Sequence, residues 1–503
     1  MSKAKAEAAA PQALDSNALI DAKIKNLEAL KELGVDPYPY TYKVTHHAGD
    51  LQKKYEGLTD GEVTEDVVAV AGRIMSNRNS GMFIDLHDAT GKIQIFSHKQ
   101  DVPADVLAQM AYYDIGDLIG VEGIVRRTPR GELTINTKKV TMLGKSIRPL
   151  PEKYHGIHDT ELKYRKRYLD LIMSTESRDT FRRRSLILAS LRKTLIDTGF
   201  LEVETPMLHP IPGGTSAKPF LTHHNALDME LYLRIAPELY LKRLIVGGFE
   251  RIFEIGRNLR NEGISVKHNP EFTALEVYQA FADYTDMMTL FEQLVVNAVK
   301  DTHDGATKIT YGDRDIEFKG PWPRKTMVEL VKDVTGIDFL QITDADAAAK
   351  AADKAGVAIQ PGSPWGKIVE TVFGEKVEHT LIQPMIVTDV PKDVMPLAKV
   401  HPENPLLTES FEIYINGWEI GPAFSELNDP FDQKDRFMKQ VEAREAGDEE
   451  AQHLDMDYVE ALEYGMPPTG GLGLGVDRLV MLLTDSHSIR DVIAFPTLRN
   501  VTK

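Results

Sequence analysis

Three stretches of this 503-residue chain place acids, bases and aromatics at spacings that could act on a small charged molecule. The first runs Phe249-Glu250-Arg251-Ile252-Phe253-Glu254-Ile255-Gly256-Arg257-Asn258-Leu259-Arg260-Asn261-Glu262-Gly263. It resumes at His268-Asn269-Pro270-Glu271-Phe272-Thr273-Ala274-Leu275-Glu276-Val277-Tyr278. The pattern reads as strand, polar loop, strand. Phe272, Glu276 and Tyr278 share parity in the second strand and so point to one face. A carboxylate and a phenol on one face suit a small cation, although an amphipathic strand with a solvated outer face gives the same pattern.

The second stretch is Phe411-Glu412-Ile413-Tyr414-Ile415-Asn416-Gly417-Trp418-Glu419-Ile420-Gly421. Asn-Gly between apolar-rich runs signals a two-residue hairpin turn. That turn sets Ile415 opposite Trp418 and Tyr414 opposite Glu419, with Glu412 and Glu419 diagonal on one face. Two carboxylates this close either repel or share a hard cation such as Mg²⁺, and a chance acidic surface is the plain alternative. Downstream, the parity of Phe424 and Glu426 conflicts with that of Glu419. Pro422 cannot donate to a sheet ladder, so a bulge there is expected to reset the parity. The third stretch, Gly470 to Leu483, reads as a glycine-rich strand entering a helix, with Arg478 near the helix start. Its glycines permit close approach to a flat ligand, and the arginine adds charge.

Common nucleotide signatures do not occur. There is no Gly-x-x-x-x-Gly-Lys-Ser/Thr, the Gly471-Leu472-Gly473-Leu474-Gly475 spacing is wrong for a dinucleotide fingerprint, and no His-Glu-x-x-His is present. The chain has no cysteine, which excludes disulfides and thiol chemistry.

The elements that must position these residues follow from pattern. Ile20, Ile24, Leu27, Leu30 and Leu33 predict a helix over Ser16 to Gly34, ended by Pro37 and Pro39. From Val67 to Leu143 five short β segments occur, with a helical stretch, Ala104 to Tyr113, between the third and fourth. That order predicts an OB barrel, a fold that stacks single-stranded bases on aromatics. We therefore expect a tail and helix over 1–64, an OB domain over 65–145 and a linker over 146–170. A large α/β region over 171–503 follows, with an insertion near 300–380.

Hydrophobic residues make up 42% and charged residues 27%, ordinary for a globular protein. No apolar run approaches the roughly 20 residues that span a bilayer, and the first residues lack the apolar core of a secretion signal. A cytoplasmic protein with no membrane partner is expected. The net charge of −17 argues against non-specific nucleic-acid adhesion. A local basic run, Lys163 to Arg167 and Arg178 to Arg184, could be an RNA patch or a solvated helix face.

Taken in chain order, these segments resemble the three motifs of class II aminoacyl-tRNA synthetases. Gly199 to Pro206 is similar to motif 1, Arg257 to Tyr278 to motif 2 and Gly471 to Leu482 to motif 3. Within that family the lysine-specific branch is matched most fully, through Gly213-Gly214-Thr215-Ser216-Ala217-Lys218-Pro219-Phe220, Leu233 to Lys242, Phe424-Ser425-Glu426-Leu427-Asn428-Asp429-Pro430 and Glu463 to Gly470. The resemblance implies an α/β multidomain enzyme. An N-terminal five-stranded OB-fold barrel would precede a catalytic domain on an antiparallel sheet flanked by helices.

It implies activation of L-lysine with ATP and Mg²⁺, and transfer to tRNA(Lys), by a homodimer built through motif 1. Glu426 and Tyr278 would hold the side-chain ammonium, with Glu276 and Phe424 close by. Glu238 and the Gly214 carbonyl would take the α-amino group. Arg260 would bridge the lysine carboxylate and the α-phosphate. Phe272 and Arg478 would sandwich adenine, Glu262 and His268 would contact the nucleotide, and Glu412 and Glu419 would bind Mg²⁺. Arg73, Phe83, Gln94 and Glu132 would read the anticodon. His223 and His224 are expected to be structural. One departure is Pro422, where the family has asparagine. The resemblance leaves as rivals an aspartyl- or asparaginyl-type synthetase, a paralogue that lysylates a protein, and a non-catalytic OB-fold RNA-binding protein.

Overall fold

The computed structural model describes residues 16–79, 81–100, 102–151, 159–445, 447 and 451–500. Internal contacts divide the chain after Ile157, within the stretch expected as a linker.

In the first unit, residues 1–157, five strands form a closed barrel. They are Val63–Arg78, Phe83–His87, Lys92–Phe96, Leu118–Arg127 and Leu133–Gly144, and a helix Ala104–Met110 sits between the third and fourth. Strict alternation makes the barrel. Ile84, Leu86, Ile93 and Ile95 point in, with Ile119, Val121, Val125 and Ile135 completing a dry interior. Each such aliphatic contributes about 1.5–3 kcal/mol of transfer free energy. The same period of two turns Phe83 and Gln94 outward. The preceding helix, Ser16–Glu32, ends before Gly34, which adopts a left-handed φ of 75°. Leu30 buries into the barrel core, and Lys23 Nζ donates to the Ile115 carbonyl at 2.7 Å. Ile24 and Leu33, expected on the buried stripe, remain exposed.

The second unit, residues 158–503, is built on an eight-stranded sheet. In spatial order its strands are Arg324–Thr326, Met385–Thr388, Ser410–Ile415, Trp418–Ser425, Thr469–Gly475, Glu271–Ala280, Arg251–Leu259 and Leu201–Glu202. All neighbours are antiparallel except the outermost pair at each edge. Helices Thr175–Asp197, Tyr284–Thr302 and Val476–Leu483 cover one face, packing Leu191, Phe291 and Leu479 against Phe253, Val277, Ile413 and Leu472. Strand alternation sends the polar residues of these strands to the other face, where the site lies.

Two features differ from expectation. Residues 159–173 are not a loose connector. Arg167 is fully buried, pairing with Asp170 at 2.7 Å and donating to the carbonyls of Arg490 and Ala494. Much of the basic run is likewise engaged in the fold, Lys163 with Asp491, Arg183 with Asp179 and Arg184 with Asp477. The stretch near 300–380 is also not one insertion. Ile309, Tyr311, Ile316, Phe318 and Trp322 pack into the main core. Helices Met327–Thr335, Ala345–Lys354 and Trp365–Lys376 form a separate core around Val331, Phe339 and Phe373. Among the described residues no helix is long and apolar enough to cross a membrane.

Candidate active site

The strand Glu271–Ala280 is an interior strand of the sheet, paired on one side with Arg251–Leu259 and on the other with the glycine strand Thr469–Gly475. The parity read from sequence holds. Leu275 and Val277 enter the core, while Phe272, Glu276 and Tyr278 line a cleft on the opposite face. The hairpin is also as read, with Ile415 opposite Trp418 and Tyr414 opposite Glu419. The bulge is not at Pro422. Pairing jumps from Tyr414–Glu419 to Ile413–Gly421, leaving Ile420 as the extra residue, and Pro422 pairs in register with Glu412. Ile420 enters the core, which resets the parity so that Glu419, Pro422, Phe424 and Glu426 all reach the cleft.

The cleft encloses about 1150 Å³ of space open to solvent. Gly214, Glu238, Arg260, Glu262, His268, Phe272, Glu276, Tyr278, Glu419, Phe424, Glu426 and Arg478 all line it. Glu412 does not. It pairs across the hairpin with Pro422, and its Oε2 accepts from the Tyr414 hydroxyl at 2.7 Å.

Glycines let these side chains converge. Gly214 sits at φ 93° in the left-handed region, and a Cβ there would lie 3.0 Å from that of Glu238. At Gly471 a Cβ would strike a carboxylate oxygen of Glu426 and come within 2.8 Å of the Tyr278 ring.

One end of the cleft is acidic. Glu238, Glu276 and Glu426 are all buried, and the Tyr278 hydroxyl donates to Glu276 Oε2 at 3.1 Å. Burial, reinforced by the charge of Glu238, pushes Glu276 up to about 8. Burial also raises Glu426 well above the usual carboxylate range. Neither oxygen of Glu426 has a well-aligned hydrogen-bond donor, although its carboxylate is in ion-pair contact with Lys242.

The other end is rich in cations. Arg478 Nη1 donates to the Glu419 carbonyl at 2.6 Å, and its Nη2 lies 3.1 Å from His268 Nε2. The Arg260 guanidinium lies 5.0 Å over the Phe272 ring, and Lys267 Nζ is 5.3 Å from the Trp418 ring. Burial and then the Arg478 charge lower His268, which favours the neutral imidazole. Asp477, which sequence reasoning passed over, ties the third motif to the second by accepting from the Thr273 amide at 2.7 Å.

Glu412 and Glu419 repel one another on neighbouring strands, a donor set that would suit a hard cation. Burial and then Glu419 repulsion push Glu412 up to about 8, the strain a divalent ion would relieve. The pair fits Mg²⁺, which takes one or two carboxylates and completes its shell from substrate phosphates. His223 contacts Asp228 at 3.2 Å, His224 caps its own turn, and no metal-binding cluster of three or more such side chains occurs among the described residues.

In the barrel unit, the Phe83 and Phe96 rings pack with centroids 4.9 Å apart at a tilt of 44°, and Arg126 lies 4.5 Å over Phe96. Phe96 and Arg126 were not singled out from sequence, because only the barrel pairing brings Phe96 opposite Phe83. Gln94 Oε1 accepts from Thr134 at 3.0 Å and Glu132 pairs with Lys92 at 3.7 Å. Arg73 is half-buried and donates to the Gly116 carbonyl at 2.7 Å.

Residues 159–499 match the family model for tRNA synthetases class II (D, K and N). The chain belongs to the class II tRNA synthetases of this family. A second model, for the OB-fold nucleic acid binding domain, matches residues 68–143 of the synthetase. The synthetase is 53% identical over 481 residues to the lysine–tRNA ligase of Sinorhizobium medicae, covering 95% of this chain and 96% of that protein. It is 52% identical over 485 residues to the lysine–tRNA ligase of Carboxydothermus hydrogenoformans, covering 96% and 98%.

Proposed function

We propose that this synthetase activates L-lysine with ATP and transfers it to the 3′ end of tRNA(Lys). The observation that carries the amino-acid assignment is the buried group of Glu238, Glu276, Tyr278 and Glu426 at one end of the cleft. Buried carboxylates call for cations, and lysine brings two. An aspartate or asparagine side chain would meet repulsion or unpaired carboxylates there. A non-catalytic RNA-binding role leaves the whole cleft unexplained.

In this reading the lysine side-chain ammonium lies against Glu426, Tyr278 and Glu276, with Phe424 along its stem. The α-amino group is taken by Glu238 and the Gly214 carbonyl. The lysine carboxylate attacks the α-phosphorus of ATP, a new P–O bond forms, and the bond to the β-phosphate breaks to release pyrophosphate. The nucleophile is already ionised, so no general base is needed. Arg260 neutralises charge between the two reactants, and Arg478 with Phe272 positions adenine. Glu262 and neutral His268 contact the nucleotide. Glu412 and Glu419 would hold Mg²⁺, which when bound supplies positive charge to the phosphates. A ribose hydroxyl at the tRNA 3′ end then attacks the mixed anhydride, and AMP leaves. Phe83 stacks an anticodon base, while Arg73, Gln94 and Glu132 contact base edges.

A homodimer is supported by apolar residues left exposed around the first motif. Ile196, Leu201, Met207, Leu208 and Leu221 are each between 39% and 59% exposed. Work in the cytoplasm, where tRNA is charged, completes the reading.

Pyrophosphate exchange into ATP across a panel of amino acids, with Mg²⁺ and no RNA, tests it. Exchange with lysine alone is expected. Exchange with aspartate or asparagine instead would keep the family and overturn the pocket assignment.

A further inference from the structure

Lys242 is a fully buried lysine that no step above uses. It sits on the helix Glu238–Val246, one turn after Glu238, so both side chains leave the same helical face. Its Nζ is 2.6 Å from Glu238 Oε1, touches the Glu426 carboxylate, and lies 5.5 Å from the Phe424 ring. A buried ammonium loses several kcal/mol of hydration, and apolar packing would serve the helix as well. Its position between two carboxylates assigned to opposite ends of the substrate therefore calls for a reason.

We propose that Lys242 is a positioning residue of the amino-acid pocket, a resident cation that fixes Glu238 and Glu426 and matches the pocket's charge to lysine. The inference rests on the lysine reading above. With substrate in place, three ionised carboxylates (Glu238, Glu276, Glu426) face two protein cations (Lys242, Arg260), leaving one net negative charge. Lysine with both amino groups protonated and its carboxylate ionised carries one net positive charge. Without Lys242 the free pocket relieves the lost positive charge by taking one more proton onto its carboxylates, and an incoming lysine, which needs all three ionised, must expel it. The other titratable groups facing this cluster are Tyr278 on the strand Glu271–Ala280, Tyr458 on the helix Met456–Glu463, and Arg234, whose charge is matched by its ion pair with Glu254. Burial raises both phenols, Tyr278 well above the usual tyrosine range, so neither supplies or removes charge near neutrality. Lys242 itself is held above the usual lysine range by Glu238 and Glu426 despite its burial, and stays charged.

Lys242→Met keeps the length of the side chain and removes the charge. Calorimetric titration with lysine at pH 7.5, in two buffers of different ionisation enthalpy, counts the protons exchanged on binding. The variant is expected to release about one more proton per lysine bound than the parent, because binding is linked to loss of the extra proton its free pocket holds. Its KM for lysine is expected to rise about tenfold or more and to depend more steeply on pH, with the KM for ATP within about twofold. If the single variant does not fold, Lys242→Met combined with Glu238→Gln removes the uncompensated charge and is expected to return the proton count to the parent's. An unchanged proton count in Lys242→Met, an unrestored count in the double variant, or equal rises in both KM values would overturn the proposal. Failure of the parent itself to exchange pyrophosphate with lysine would instead overturn the reading on which it rests.

Discussion

In the proposed function Arg260 and Glu276 stand at opposite ends of the same substrate and should fail in different ways. Arg260 is assigned to neutralise charge where the carboxylate meets the α-phosphate, so Arg260→Ala is expected to cut the rate of pyrophosphate exchange by about 10²- to 10³-fold. Retention of activity within a few fold would contradict its placement between the reactants. Glu276 predicts a pH dependence. Its carboxyl is pushed up to about 8, so it is mostly protonated at pH 7 when the pocket holds no lysine substrate. An incoming ammonium favours the ionised form, and binding must expel that proton. The KM for lysine is therefore expected to fall as pH rises from 6.5 to 8, by up to about tenfold per unit, and then to level off. Glu276→Gln has no proton to lose, and steady-state kinetics across this range should show the slope gone. A slope that survives in the variant would assign it to another group.

At the scale of elements, the strands, the turn and the register beside it were legible, but the position of the bulge was not. Alternation placed Phe272, Glu276 and Tyr278 together, and Asn416-Gly417 announced the hairpin, because both signals are local. The bulge was misplaced because its position is set across strands. A Cβ at Gly421 would collide with the Gly473 carbonyl, so the extra residue falls where Ile420 can enter the core. Lys242 was passed over for a similar reason. An i,i+4 glutamate–lysine pair is common on exposed helices, and only the sheet beneath shows that this one is buried. The insertion was misread because its alanine-rich helix hides how Tyr311 and Trp322 join the main core. Two substitutions probe the bulged strand and its glycine neighbour. Pro422 lines the cleft with no side-chain donor, so Pro422→Asn is expected to lower the KM for lysine about fivefold, the worth of one hydrogen bond of about 1 kcal/mol. An unchanged or higher KM would show that a side-chain amide adds nothing there. Gly471→Ala is expected to raise the same KM by about tenfold or more, because its Cβ would displace Glu426 or Tyr278, while thermal unfolding reports how much of the loss is folding.

For the molecule as a whole, the two units allow the two half-reactions to be separated. In the proposed function amino-acid activation takes place in the cleft of residues 158–503, and pyrophosphate exchange measures it with no RNA present. Charging of tRNA also requires recognition of the anticodon, assigned to the outer face of the barrel around Phe83 and Phe96. Base stacking on an aromatic contributes about 1–3 kcal/mol, equivalent to roughly five- to 150-fold. Phe83→Ala leaves the inward-facing Ile84 and Leu86 in place, so the barrel core is not emptied. The variant is expected to exchange pyrophosphate at the parental rate, within about twofold, while kcat/KM for tRNA charging falls by about ten- to a hundredfold. Parallel loss of both activities would locate the damage in folding rather than recognition. Parental charging would remove Phe83 from the RNA surface and turn attention to Phe96, whose ring already carries Arg126 at 4.5 Å and could support a base on its own.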